Sequence, residues 1–283
     1  MEAIMTSPLV ITHWLNDEID DPDLVILDAS MEKVVGREPI IYDRPEYIPN
    51  SIPLSLEREL CDLESTQLHT MPTEAQFQKI CQRLGITDKS RIVIYDNQGI
   101  YSAPRVWWTF KYMGFEQVFI LDGGLPQWIE DGYLTTNQIR QPTQGGLFNV
   151  NRQTNMVCDA KAVLANIGKP SLAIVDARAR ARFLGQVAEP RPGVRSGHIP
   201  SALNLPFVEV LYGHKMKSQA ELVSLFSDLL GENKRLIASC GSGITACIIL
   251  LAADIAGVVN LSLYDGSWAE WGSDENLPIE LEN

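Results

Sequence analysis

The chain repeats itself in two halves. Ile26-Leu27-Asp28-Ala29-Ser30 returns as Ile174-Val175-Asp176-Ala177-Arg178, and Tyr47-Ile48-Pro49-Asn50 returns as His198-Ile199-Pro200-Ser201. Arg91-Ile92-Val93-Ile94-Tyr95-Asp96 returns as Arg235-Leu236-Ile237-Ala238-Ser239-Cys240. Leu121-Asp122-Gly123-Gly124, with Trp128 after it, returns as Tyr264-Asp265-Gly266-Ser267, with Trp271 after it. The offsets stay between 143 and 151 residues in unchanged order. Four segments held in register mark a duplicated domain, so one fold has to satisfy both halves.

Each half alternates short apolar runs with helical patterns, which predicts an α/β fold with a parallel sheet flanked by helices. Thr73-x-x-Gln76 opens a helix ending at Gly85, and Ser218-x-x-Glu221 opens its counterpart ending at Gly231. Both are capping boxes with a C-terminal glycine. Buried strands are expected at 91–95 and 235–239. The 283 residues suit two domains of about 130 to 150 each. Residues 137–157 are polar and aperiodic and read as a linker between a first domain at 1–136 and a second at 158–283.

Composition removes several function classes. A net charge of −13 argues against a nucleic-acid partner, which is held through clustered Lys and Arg. No apolar run approaches the roughly 20 residues that cross a bilayer, so no membrane association is expected. Met1 to Val10 holds Glu2 and neither Lys nor Arg, so no secretory signal or transit peptide is visible and the cytoplasm is expected. The five cysteines form no C-x-x-C pair and no zinc spacing, which points to reduced thiols without a metal or other cofactor.

One cysteine stands apart. The strand at 235–239 runs into Cys240-Gly241-Ser242-Gly243-Ile244-Thr245-Ala246 and then an apolar helix stopping at Gly257. Ligands of open α/β sheets bind beyond the carboxyl ends of the strands, where Cys240 falls. Gly241 and Gly243 permit backbone angles closed to other residues, so successive N–H groups can turn towards one point in front of a helix N-terminus. Such a cradle favours a thiolate, and equally the terminal sulfur of a persulfide. The first half has Asp96-Asn97-Gln98-Gly99 at this place and no sulfur. One half keeps a nucleophile; the other is scaffold.

The Cys240–Ala246 loop resembles the active-site loop of 3-mercaptopyruvate sulfurtransferases, with Ile244 for the usual Val. The resemblance extends to Ser102-Ala103-Pro104-Arg105-Val106-Trp107-Trp108, Glu189-Pro190-Arg191-Pro192-Gly193, Gly197-His198-Ile199-Pro200 and Tyr264-Asp265-Gly266-Ser267-Trp268. It implies two tandem rhodanese-like domains, the second catalytic. It implies transfer of sulfane sulfur from 3-mercaptopyruvate, through a persulfide on Cys240, to cyanide or a thiol such as thioredoxin. The family's two donor-binding arginines match Arg182 and Arg191, and Gly241, Gly243, Ile244 and Thr245 complete the substrate loop. A planar guanidinium suits a carboxylate because it donates two parallel hydrogen bonds. Ser242 matches a serine proposed to move protons, although turn-making accounts for it equally well. The family's relay histidine falls at Tyr47, which does not titrate near neutrality, so no relay is carried over. Arg178, Arg180 and Arg195 are expected in solvent, and His198 as a structural histidine.

Rival readings differ at single positions. Thiosulfate sulfurtransferases carry Arg and Lys where this chain has Gly241 and Ser242. A cysteine phosphatase needs an Arg at position 246, occupied here by Ala. A non-catalytic binding module would have lost the cysteine.

Overall fold

The computed structural model describes residues 7–142, 145–231 and 235–281. The chain forms two compact units: one from residues up to 63 with 71–153 and 213–216, the other from 64–70, 154–212 and the residues from 217 onward.

The first unit holds β1 (Leu9–Val10), α1 (Thr12–Glu18), β2 (Leu24–Asp28), β3 (Ile52–Pro53), α2 (Glu74–Leu84), β4 (Arg91–Tyr95), α3 (Ala103–Tyr112), β5 (Val118–Leu121) and α4 (Gly124–Glu130). Its five-stranded sheet runs in the order β1-β5-β4-β2-β3, every pair parallel. The central strand β4, Arg-Ile-Val-Ile-Tyr, is buried from Ile92 to Tyr95, as a strand covered on both faces must be. One core gathers Ile26, Val93, Phe119, Leu121 and Trp128. The expected capping box is present: Thr73 accepts from the Gln76 amide, Gln76 reaches back, and Gly85 closes α2 in the left-handed region.

The second unit repeats this plan with β6 (Val157–Cys158), α5 (Ala160–Leu164), β7 (Ala173–Asp176), α6 (Arg180–Phe183), β8 (Leu203–Asn204) and β9 (Leu211–Tyr212). After β10 (Lys215–Met216), which belongs with the first unit, come α7 (Gln219–Leu230), β11 (Leu236–Ser239), α8 (Ala246–Ile255), β12 (Leu261–Tyr264) and α9 (Ser267–Trp271). The sheet order β6-β12-β11-β7-β8 reproduces the first strand for strand, again parallel throughout. Its core centres on Ile174, Ile237, Tyr264, Trp268 and Trp271. The apolar α8 is buried on every side from Ala246 to Ala253, so it lies inside the unit.

Contacts divide the chain differently from composition. Phe148, within the stretch expected as a linker, is buried in the first unit against Phe77 and Phe115. Residues 64–70, inside the sequence of the first half, belong to the second unit.

Candidate active site

Strand β11 delivers Cys240 to the carboxyl edge of the second sheet, where its side chain is 1% exposed. The Gly243 N–H donates to Cys240 Sγ at 3.1 Å. Gly243 does so at φ +79°, a conformation that a side chain disfavours. Gly241 has a different reason to be glycine. Its φ is not positive, but a Cβ there would stand 3.3 Å from Arg182 Nη2, so a side chain would press on the guanidinium. Behind the loop, the Cys240 N–H donates to Ser267 Oγ at 3.2 Å. The amides of Trp268 and Ala269 donate to the carbonyls of Cys240 and Gly241, both at 2.9 Å. Ile244 is buried and Thr245 half-buried at the entrance to α8.

The first unit shows what this loop geometry is suited to hold. At the end of β4, Asp96 Oδ2 accepts from the amides of Tyr101, Ser102 and Ala103 at 2.8–2.9 Å, and Oδ1 accepts from Gln98 N–H at 2.9 Å. A carboxyl group of the chain itself fills the cradle of amides there. Burial still pushes the Asp96 carboxyl above its ordinary value, with the four amides pulling it down. In the second unit the equivalent residue is a cysteine, whose sulfur receives one amide.

Ser242 is 7% exposed, and its hydroxyl lies 3.1 Å from Nδ1 of His69. Both belong to the second unit, because 64–70 packs there; Gln67 Nε2 adds a 2.7 Å hydrogen bond to Glu270. His69 was not anticipated. It follows an aperiodic stretch with no motif, and it neighbours Ser242 only through folding. Tyr47, the position considered for the family histidine, instead bridges Thr136 in the first unit.

Arg182, on α6, is held by Glu189: Nε donates to Oε1 at 3.1 Å and Nη2 to Oε2. Arg191 is half-buried and makes no hydrogen bond or ion pair with the described residues. Two arginines expected in solvent are not there. Arg178 is 2% exposed, chelates Asp176, donates to Glu189 and the Gly197 carbonyl, and lies 4.4 Å over the Trp268 ring. Asp176 and Glu189 make this burial tolerable, because a buried cation needs paired anions. Arg195 is half-buried and donates to the carbonyls of Trp271, Gly272, Asp274 and Leu277. Arg180 is exposed. His198 is buried, stacked on Phe183 with its Nδ1 2.8 Å from the Phe183 carbonyl, a structural setting.

The rhodanese-like domain family model matches residues 12–131 and again 159–274. The chain belongs to the rhodanese family. Among curated proteins it is 38% identical to a 3-mercaptopyruvate sulfurtransferase of Escherichia coli, over 97% of this chain and 98% of that protein. It is 36% identical to the mitochondrial thiosulfate/3-mercaptopyruvate sulfurtransferase 1 of Arabidopsis thaliana, over 98% of this chain and 79% of the relative. The crystal structure of SseA from E. coli, described with the rhodanese fold of 3-mercaptopyruvate sulfotransferases, superposes with a TM-score of 0.79 at 34% identity. It covers 93% of this chain and 99% of SseA. The chain is a sulfurtransferase with two rhodanese-like domains. Among the described residues no helix is long and apolar enough to cross a membrane.

Proposed function

We propose that this sulfurtransferase takes sulfane sulfur from 3-mercaptopyruvate onto Cys240 and passes it to a thiol such as thioredoxin, or to cyanide. The observation carrying this reading is the sulfur of Cys240 set in a glycine loop whose first-half copy turns four backbone N–H groups onto the Asp96 carboxyl. The Cys240 thiolate attacks the donor sulfur, and the carbon–sulfur bond breaks with its electron pair moving onto carbon. The enolate so formed takes a proton and leaves as pyruvate. Arg182 and Arg191 hold the ketone and the carboxylate, and Arg182 stabilises the negative charge that develops on the ketone oxygen. The persulfide's outer sulfur is then taken by the acceptor, which restores the thiolate. Ser242 and His69, in hydrogen-bond distance of each other, offer a path for the protons. Gly241, Gly243, Ile244 and Thr245 shape the walls around the sulfur. All five cysteines are free thiols, which suits a reducing compartment such as the cytoplasm.

The test is the intact mass after incubation with 3-mercaptopyruvate and, in parallel, with thiosulfate. The wild type is expected to gain one sulfur, more readily from mercaptopyruvate, and Cys240→Ser none, with its fold unchanged by circular dichroism. Sulfur carried by the mutant, or mapped to Cys247, would end the proposal. Faster loading from thiosulfate would reassign the donor.

A further inference from the structure

We propose that Glu189, a residue not expected to touch the substrate, positions Arg182 and sets the enzyme's choice of donor; this rests on the function proposed above. The Glu189 side chain is 4% exposed and lies between two guanidiniums. Its Oε1 accepts from Arg178 Nη1 at 2.9 Å and from Arg182 Nε at 3.1 Å, while Oε2 accepts from Arg182 Nη2. Arg178 is itself immobilised by Asp176, by the Gly197 carbonyl at 2.8 Å and by the face of Trp268. A chain of fixed contacts therefore runs from Arg178 through Glu189 to Arg182, which meets the active-site loop at Gly241.

The charges in this cluster cancel. Arg178 and Arg182 are balanced by Asp176 and Glu189, all directly paired. Arg182 is therefore an aimed hydrogen-bond donor with little net field around it. Its Nη1 makes no hydrogen bond with the described residues, so it can meet a ketone oxygen. A small dianion such as thiosulfate gains little beside a neutralised guanidinium. A monoanionic keto-thiol loses little, because Arg191 carries no carboxylate partner among the described residues and keeps its charge for the single carboxylate. Glu189 thus selects by withholding charge from the wrong donor as well as by orienting a group for the right one.

Glu189→Gln keeps the shape and removes the anion. Added charge acts more strongly on a dianion than on a monoanion, so the ratio of kcat/KM for thiosulfate over mercaptopyruvate is expected to rise about tenfold. The KM for mercaptopyruvate should increase, while alkylation of Cys240 by a neutral reagent keeps its rate. Glu189→Asp restores the anion on a shorter arm. It should bring the donor ratio back below that of Glu189→Gln, towards the wild-type value, with only a small rise in KM for mercaptopyruvate. That second variant also decides the matter if Glu189→Gln does not fold. An unchanged donor ratio in Glu189→Gln overturns the proposal. So does an equal loss with both donors in either variant accompanied by a changed alkylation rate, which would make Glu189 a structural strut. Failure of the wild type to accumulate sulfur on Cys240 from either donor would instead remove the function on which the inference stands.

Discussion

At φ +50° the fully buried Ser267 takes nearly the conformation that Gly124 takes at +53° in the first half. A side chain is disfavoured there, and its presence has a use: Ser267 Oγ accepts from the Cys240 N–H and donates to the Tyr264 carbonyl at 2.9 Å. His69, at φ +55°, is another of the five non-glycine residues with positive φ among the described residues, and it is the one that meets Ser242. Residues held in such conformations cluster where geometry serves function. If His69 and Ser242 move protons as one unit, replacing either by Ala should lower kcat about 10²-fold. The double mutant should then be scarcely worse than the single ones, because members of one relay are not additive. Multiplicative losses across the four enzymes would separate the two residues. Ser242 was visible in the loop motif, whereas His69, 173 positions earlier in the chain, carried no local pattern that marked it.

The two strand–loop–helix elements, β4 to α3 and β11 to α8, show one design under two side chains. Backbone pairing around them is conserved in detail: the Ala29 amide donates to the Tyr95 carbonyl and the Ala177 amide to the Ser239 carbonyl, both at 2.8 Å. What differs is the side chain that faces the loop amides. Asp96 completes its own loop, so its replacement by Asn should turn an N–H donor towards amide donors and cost about 1–3 kcal/mol. The pH dependence has a definite sign. Burial raises the folded Asp96 carboxyl above its ordinary value of 3.8, so the folded protein holds that proton more tightly than the unfolded chain. The resulting stability is fully present below 3.8 and is lost as pH rises through the raised folded value. The gap in melting temperature between wild type and Asp96→Asn should therefore widen as pH falls from neutrality through mild acid. Thermal melts at a series of pH values read this directly, and a gap that narrows on acidification would contradict it.

Over the molecule, each unit buries its own core, and the second is closed by its C-terminal stretch. Arg195 collects four carbonyls between Trp271 and Leu277, Trp271 Nε1 donates to the Pro278 carbonyl at 2.7 Å, and His198 pairs its backbone with Glu280. Arg195→Ala should cost roughly 2–4 kcal/mol by stranding these acceptors, lowering the melting temperature by several degrees without moving the donor ratio. A melting temperature equal to the wild type's would return Arg195 to solvent. The duplication, the parallel sheets, both capping boxes and the two strand-end loops, with Cys240 on the second, were legible in the sequence. Each rests on local propensity or on a pattern that repeats along the chain, and neither needs the fold to be known. The tertiary structure alone decided which arginines are buried, that Glu189 joins two of them, that Phe148 belongs to a core, and that His69 meets Ser242. Those outcomes depend on desolvation and on contacts between residues distant in the chain, and the same arginine reads alike in sequence whether water or a carboxylate surrounds it.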